Sequence, residues 1–572
     1  MSSRSEKLKA PIIIEEIKEK KKAGIIRRIL KWVGLSVLSL LLILAIVFQA
    51  PWKVITLLAI IFLACTILPR QFRKWFWLSA AAIVVILIIW IFLPDDNEGW
   101  RPYTFDEELA ALQAKYTIPD EENAAIIYNE LLETCDYNDF AYSTLDNNVY
   151  NSIYSGTWSK KDYPEAAAWL QRIQSKIKIL IEASKIENCR FPISNPSNRE
   201  PQGNRNSAMR RWASVLVIAE NNDIAESHFN EALEKNVALL RMAKHLYQQP
   251  TFMDLLVAMS FESIALHKFN KFVITTDATE PHLIVIEKAL ADAKHDWNSL
   301  WRRNLAYEKI CTKDELANYY EINAKGRIRL SRDPLKEMRA RIRKFLENEE
   351  KDEEIDDDKL KDIFEQVRNI QKRTAYPSYL QKKRIKAYTI IYWFYMPSNP
   401  QKAASFIDAY YQKCYTMEDS DWQLQEESAE TSLTAALFHY LRYLTEYWVY
   451  VPNTSLSKMH YLYLRLSSDL RGSKIIIALR RYKNKTGHWP ESLDEIKTLT
   501  DPNVFIDPIN GGNFVYKLTE ENFTLYRKGT NNIDEGGKRD RWDEEKTGAD
   551  DWLIWPLKLP KTDEEKADVE SD

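Results

Sequence analysis

The sequence lacks the short motifs that mark the common enzyme classes. Its 572 residues contain no HExxH or CxxC pair for zinc, no GxSxG nucleophile elbow, no GxGxxG turn and no phosphate-binding loop. The eight histidines are scattered, so each is expected to be a surface or core residue and not a metal ligand. These absences leave no candidate catalytic residue.

Glycine is also scarce, with 14 residues in the whole chain. Long stretches rich in Leu, Ala, Glu, Lys and Tyr predict a mainly helical body. Amphipathic helix patterns begin at Pro119 and recur at 163–188, 206–247, 251–273, 283–330, 335–373, 381–396 and 402–449. Strand signals are scarce before the C-terminal region.

Cysteine is limited to five residues, one of which, Cys65, lies in an apolar run. The other four are Cys135, Cys189, Cys311 and Cys414. They can form two disulfides in any of three pairings, or remain buried free thiols. The sequence does not choose between these alternatives.

Three apolar runs fill most of the N-terminal region, at 32–49, 54–68 and 75–93. Each is close to the roughly 20 residues that a helix needs to cross a bilayer. Basic residues precede the first run and separate the second from the third, so the N-terminus is expected in the cytoplasm and residues 94–572 outside. The sequence therefore predicts a multi-pass protein of the bacterial inner (cytoplasmic) membrane, with the lipid bilayer as one partner.

The polar content of these runs indicates an anchor. None of them contains Asp, Glu, His or Arg, whereas a transporter or proton relay normally needs an ionisable group at membrane depth. The second run is the shortest, which leaves open a buried or re-entrant hairpin and a reversed topology.

Changes in composition along the chain predict its division into segments and domains. We expect a basic cytoplasmic segment at 1–31, transmembrane helices at 32–93, an extracytoplasmic helical domain at 94–455, an α+β module at 456–559 and an acidic disordered tail at 560–572. Within the helical domain, 206–247 resembles a tetratricopeptide helix pair with its turn at 221–223. No 34-residue period follows, so the body is interpreted as helical hairpins in a bundle or irregular solenoid. The densely charged stretch 335–373 is expected to be a solvated arm or a partner-docking arm.

The C-terminal module reads as one long helix followed by a small sheet. Apolar residues at helical spacing begin at Leu456 and lead to a stop at Thr486 and Gly487. Alternating apolar residues at 514–518 and 523–527 then predict two antiparallel strands joined by a tight turn.

This module resembles the globular head of type II secretion pseudopilins, especially the major pseudopilin. The residues that carry the resemblance are Ala478, Tyr482, Gly487, Trp489, Pro490, Leu493, Asp507, Pro508, Gly511, Tyr516, Leu525, Tyr526, Gly529, Gly536 and Gly537. Similar heads end uncharacterised bacterial membrane-anchored proteins with a helical middle, and the whole chain looks most like those. The resemblance implies a long helix packed on the sheet.

The same resemblance implies a calcium site in the late acidic loop. The matching positions are Asp534, Asp550 and Asp551, with Asn531 where an aspartate is expected. Oxygen-rich, flexible loops suit calcium. The loop is lengthened by KRDRWDEEKTG, however, so a solvated acidic loop is the alternative.

Two departures from the pseudopilin pattern concern assembly. True pseudopilins begin with a short leader and a single hydrophobic helix, whereas this chain has three apolar runs. Its pilin-like helix also lies far along the chain from those runs, so pilus assembly through that helix is not expected.

The leading functional hypothesis is a non-catalytic, membrane-anchored extracytoplasmic interaction or scaffold protein that binds other envelope proteins. One alternative is an extracytoplasmic hydrolase acting on glycans or peptides, because 18 Trp and 29 Tyr could line a cleft that holds two carboxylates. Another is an accessory component of a type II secretion-like system. Nucleic-acid binding is disfavoured, because the predicted outer region is net acidic.

Overall fold

The computed structural model describes residues 99–134, 147–193, 200–293, 295–317, 319–330, 400–415, 433–520, 522–540 and 547–556, with a few single residues between 36 and 82. In the helix that begins at Leu433, side chains are described from Lys458 onward. The described residues are mainly helical, as the composition predicts, and they include two small sheets. The chain divides into two compact units.

The predicted membrane localisation requires a correction. Among the described residues, no helix is both long and apolar enough to cross a membrane, and this contradicts a multi-pass inner-membrane protein. The apolar helix Phe252–Thr275 illustrates the physical reason, because it carries Asp254, Glu262 and Lys268 on buried faces. The three apolar runs at 32–93 lie outside the described residues, apart from Ser36, Ala59, Ile60, Leu78, Ser79 and Ala82.

The helices and strands are numbered here in chain order through the described residues. The helices are α1 Asp106–Tyr116, α2 Ala124–Thr134, α3 Asn147–Ser155, α4 Pro164–Lys185, α5 Glu200–Ala225, α6 Phe229–Tyr247, α7 Phe252–Thr275, α8 Glu280–Asp292, α9 Trp297–Ala317, α10 Pro400–Tyr415 and α11 Leu433–Thr486. The strands are β1 Trp100–Pro102, β2 Tyr320–Asn323, β3 Ile328–Leu330, β4 Val515–Leu518, β5 Phe523–Arg527 and β6 Trp552–Trp555.

The first unit spans residues 1–104, 312–410 and 427–452 and contains a small sheet that the sequence did not predict. Strands β1, β2 and β3 are antiparallel neighbours in that order. Arg329 on β3 donates to Glu321 on β2, at 2.7 Å, and its guanidinium lies 3.9 Å from the centre of the Trp100 ring. These strands are three or four residues long, too short to show an alternating pattern.

The second unit spans residues 105–311, 411–426 and 453–572, and its helical body is built from hairpins. Helices α5, α6 and α7 pack side by side, and α4 and α8 pack against α6. Thr251 caps α7 by accepting a hydrogen bond from the backbone N–H of Asp254, which satisfies a donor that the first helical turn leaves open. Consecutive helices in this region therefore pack as neighbours.

The turn of the predicted helix pair lies later than expected. Helix α5 continues through Asn221 and Asn222 to Ala225, and Ser227 adopts a positive φ of 63° in the turn. Both asparagines are buried and donate to carbonyl groups: Asn221 to Ile153 and Tyr154, and Asn222 to Trp158. The turn prediction at 221–223 is therefore wrong, because these polar side chains bind α3 and the loop after it.

The C-terminal module matches its predicted helix end and hairpin. Helix α11 begins upstream of Leu456, at Leu433, and ends at Thr486, where Gly487 has a φ of 89° that favours glycine. Strands β4 and β5 are antiparallel, and β6, which the sequence analysis missed, pairs with the other edge of β5. The module is a helix with a three-stranded antiparallel sheet.

Gly472 on α11 lies where β6 approaches the helix. A Cβ at this position would lie 2.7 Å from Cγ2 of Ile554, which is itself buried. The contact is closer than side-chain atoms tolerate, so the absence of a side chain lets strand and helix pack.

We therefore expect Gly472→Ala to destabilise the protein by about 1–3 kcal/mol, the usual penalty of an overpacked core. The matched control is Gly203→Ala on α5, where a new Cβ would meet nothing within 4 Å. That variant is expected to gain up to about 1 kcal/mol from helix propensity. Chemical denaturation of both variants checks the difference, and equal effects would contradict the described packing of β6 on α11.

The remaining sequence predictions have mixed outcomes. Cys189 is a buried free thiol, so two disulfides cannot link the four cysteines; Cys135 lies outside the described residues. The charged stretch 335–373, the helix at 381–396 and the tail at 560–572 also lie outside them. Helix α5 begins at Glu200, upstream of the helix pattern that the sequence shows from 206.

Candidate functional site

The late acidic loop places the three predicted calcium ligands against different partners. Asp534 accepts hydrogen bonds from the Tyr526 hydroxyl, at 2.6 Å, and from the backbone N–H of Gly536, at 2.9 Å. Asp550 accepts from the backbone and hydroxyl of Thr530, at 2.7 and 2.5 Å. Asp551 accepts from the backbone N–H of Gly537, at 2.8 Å. Each carboxylate thus has a structural role in the loop.

Gly529 explains how Asp550 comes so close to the end of β5. Its φ of 49° lies in the left-handed region, and a Cβ there would overlap with Oδ1 of Asp550. A glycine is needed because the carboxylate occupies the space of a side chain.

Glu535 is the residue of this loop that the sequence analysis missed. One carboxylate oxygen on each of Glu535, Asp550 and Asp551 is buried without a hydrogen-bond partner among the described residues. Burial, with a smaller contribution from the neighbouring Glu535 carboxylate, raises the pKa of Asp551 to about 6. The signal that could have found Glu535 is its place beside Asp534 in the acidic sequence before Gly536.

The oxygen donors suit calcium in kind but do not form a complete ligand set. In the part of the chain that the structure describes, no three His, Cys, Asp or Glu side chains are grouped to hold a metal ion. Asp534 is held by Tyr526, while Glu535 and Asp551 are neighbours with unpartnered buried oxygens. A calcium ion in this loop would therefore be held first by Glu535 and Asp551.

A second cluster lies in the same module, around the indole of Trp552. The guanidinium carbons of Arg465, Arg539 and Arg527 lie 3.6, 4.2 and 5.5 Å from the centre of its ring. Arg465 comes from α11, Arg527 ends β5 and Arg539 belongs to the late loop. The fold thus brings together three positive charges that are far apart in the sequence, and we call them the arginine cluster.

Two carboxylates lie near this cluster, on α11 and in the loop before β4. Asp507 accepts hydrogen bonds from the Ser468 hydroxyl and from the backbone N–H of Ile509. Burial raises the pKa of Asp469 to about 6, although the charges of Arg527 and Arg465 oppose this shift. One oxygen of each carboxylate is buried without a hydrogen-bond partner among the described residues.

A polar and aromatic cluster lies where the helical body meets the module. Glu262 on α7 is buried and accepts a hydrogen bond from the Tyr247 hydroxyl at 2.6 Å, and His295 lies 3.4 Å away. The Trp297 ring stacks on Tyr463 of α11 with centres 4.0 Å apart. These aromatic side chains pack against one another, as core residues do. The contacts of Glu262 with Tyr247 and His295 help to hold α7 in this packing.

The module is also fixed to helix α8 of the body by charged contacts. Arg481 donates to both carboxylate oxygens of Glu287, at 3.1 and 2.8 Å, and to Glu280 at 2.9 Å. Arg480 and Asn484 both donate to the carbonyl of Ala278, at 3.3 and 2.9 Å. These contacts, which we call the α8–α11 contact, cover one side of the end of α11.

The comparisons with known proteins found no match. No family model matches the chain, and neither a curated protein nor a solved structure matches it significantly. The pseudopilin resemblance therefore stays a prediction.

Proposed function

We propose that this protein is a non-catalytic interaction protein in which a pseudopilin-like head is held in a fixed position on a helical body. The α8–α11 contact is the observation that carries the proposal. A bidentate arginine fork fixes orientation as well as distance. The head and the body can therefore present one continuous surface to a protein partner.

The state of the buried charges supports a non-catalytic role. Arg205 pairs with Asp254, and Lys235 with Asp223, inside the helical body. The carboxylate of Glu262 accepts a hydrogen bond from the Tyr247 hydroxyl and lies 3.4 Å from the His295 ring. These ion pairs and hydrogen bonds join helices and therefore have a structural role. They are not the pair of facing carboxylates that the hydrolase alternative requires.

The experiment is a pull-down with the full chain and a variant in which the α8–α11 contact is broken. Arg481→Gln removes the fork at a partly exposed position, and the loss of stability is expected to be within about 1 kcal/mol. We expect wild type to recover a stoichiometric protein partner and Arg481→Gln to lose most of it. Lys485→Gln, an exposed charge change on the same helix, is the matched control and should retain the partner. Absence of any stoichiometric partner, or equal recovery by Arg481→Gln, would contradict the proposal.

We further propose that the head binds calcium through Glu535 and Asp551, with Asp550 beside them. Two neighbouring carboxylates that each have a buried oxygen are stabilised by a proton or a cation that offsets their repulsion. Burial is the main cause of the raised pKa of Asp551, about 6, and the nearby Glu535 carboxylate adds to it. Calcium supplies the positive charge and accepts flexible oxygen ligands.

Calcium is therefore expected to raise the melting temperature of the full chain at neutral pH. At a concentration 100-fold above its dissociation constant, the gain is about 2.7 kcal/mol. Asp551→Asn should abolish the shift, whereas Asp494→Asn, at an exposed site in the same module, should keep it. A calcium shift that persists in Asp551→Asn would place the ion elsewhere.

The link to secretion is a separate proposal that depends on the resemblance alone. Helix α11, the hairpin β4–β5 and the late loop occur in the order that a pseudopilin head implies. A gene position beside secretion components would support an accessory role in such a system.

A further inference from the structure

Arg527 is a buried cation whose hydrogen-bonding groups have no partner. Its side chain is 1% exposed, and none of its three guanidinium nitrogens has a hydrogen-bond partner among the described residues. A buried charged donor without an acceptor is strongly unfavourable. The geometry therefore calls for an acceptor that the described side chains do not supply.

The surroundings of Arg527 add positive charge. Arg465 has a lowered pKa, first because of burial and then because of the charge of Arg527, with a smaller effect from Arg539. The Nε of Arg465 is also buried without a partner among the described residues. The guanidinium groups of the arginine cluster thus repel one another.

The two nearby carboxylates leave the Arg527 donors unused. Asp469 and Asp507 lie close to the cluster, and Asp507 uses one oxygen to bind Ser468 and Ile509. Neither carboxylate gives the Arg527 nitrogens a hydrogen bond in the described structure. The cluster meets the surface at the exposed residue Arg539.

We propose that the arginine cluster is a binding site for a phosphate group, held by the guanidinium of Arg527 with Arg465 and Arg539 beside it. Guanidinium groups bind phosphate oxygens through paired N–H donors, and such charge-assisted bonds are shorter and stronger than neutral ones. Arg527 supplies the unused donors, and Arg465 and Arg539 add positive charge around the same indole ring. Its charge also relieves their mutual repulsion.

Trp552 fixes the site within the fold. The indole face attracts cations, and the close positions of Arg465 and Arg539 over it hold these side chains in place before a ligand arrives. A site whose side chains are already ordered binds with a smaller entropic penalty. The phosphate can belong to free inorganic phosphate or to a small phosphate ester, since both offer the same oxygens.

The test is titration calorimetry of the full chain with inorganic phosphate, and in a second arm with glycerol 3-phosphate, against sodium chloride of equal ionic strength. We expect saturable binding of one phosphate group per chain in at least one arm. Arg527→Lys keeps the charge but removes the fork, so it should weaken binding by about tenfold or more. Lys485→Gln should bind as wild type does.

Arg539→Gln keeps the proposal testable if changes at buried Arg527 prevent folding. Arg539 is exposed, so its loss leaves the core intact, and phosphate binding should weaken several-fold. Two results would overturn the proposal: heats that match the chloride blank in both arms, or equal phosphate affinity in Arg539→Gln and wild type.

Discussion

Replacing Asp254 with alanine is expected to lower the free energy of unfolding by about 3–5 kcal/mol, the loss typical of breaking a buried ion pair. The Asp254 side chain is 1% exposed and that of its partner Arg205 is 8% exposed. The carboxylate also accepts hydrogen bonds from Thr251 and Gln202. Without it, Arg205 stays buried beside Phe191 with no counter-charge. Urea denaturation followed by circular dichroism measures the change.

The matched control is the exposed ion pair of Lys244 with Glu187, whose glutamate side chain is 76% exposed. Glu187→Ala is expected to change stability by less than about 1 kcal/mol, because solvent screens such pairs. Replacing Arg205 and Asp254 together by Met and Leu should restore much of the loss, since no uncompensated charge then remains. Equal effects of Asp254→Ala and Glu187→Ala would show that the buried pair does not have this structural role.

The second large effect is a loss of stability on acidification, caused by His245. This histidine accepts a hydrogen bond from the Tyr128 hydroxyl at Nδ1, at 3.0 Å, and donates from Nε2 to the carbonyl of Ile186, at 2.7 Å. Burial lowers its pKa from 6.5 to about 4. The folded state therefore holds the neutral ring, while the unfolded state takes up a proton as the pH falls below 6.5. Stability is complete above that pH and declines until about pH 4, by roughly 3 kcal/mol in total.

Urea unfolding at several pH values between 7 and 4.5 measures this decline. His267 contributes in the same direction, because burial lowers its pKa to about 4 as well. His245→Gln should therefore show a shallower pH dependence than wild type, but not a flat one. The exposed His228 provides the control, and His228→Gln should keep the wild-type slope. If stability declines with falling pH as steeply in His245→Gln as in wild type, His245 is not the cause of the acid destabilisation.

The helical architecture could be predicted because it depends on local patterns. Apolar residues at helical spacing gave α4, α6 and α7 to within a few residues, and the glycine after Thr486 marked the end of α11. The turn after α5 was misplaced because Asn221 and Asn222 favour turns locally, whereas here buried carbonyl groups hold them in a helix. Strand β6 was missed because it pairs across a long loop.

The candidate sites were harder to predict than the fold. Asp550 and Asp551 were found because they match a sequence resemblance. Glu535 and the arginine cluster were not found, because their meaning depends on burial and on neighbours far along the chain. Arg527 is an ordinary alternating residue in the sequence of β5, and only the packed module shows that its nitrogens lack partners.

The surroundings of Cys189 have a practical consequence. The backbone N–H of Cys189 donates to Gln248, its carbonyl accepts from Gln249, and burial raises the pKa of its thiol. Alkylating reagents attack the thiolate of an accessible cysteine, so they can modify Cys189 only after this region opens. The rate of Cys189 modification, read by mass spectrometry, therefore reports how often the loop after α4 separates from the end of α6, without a label engineered into the chain.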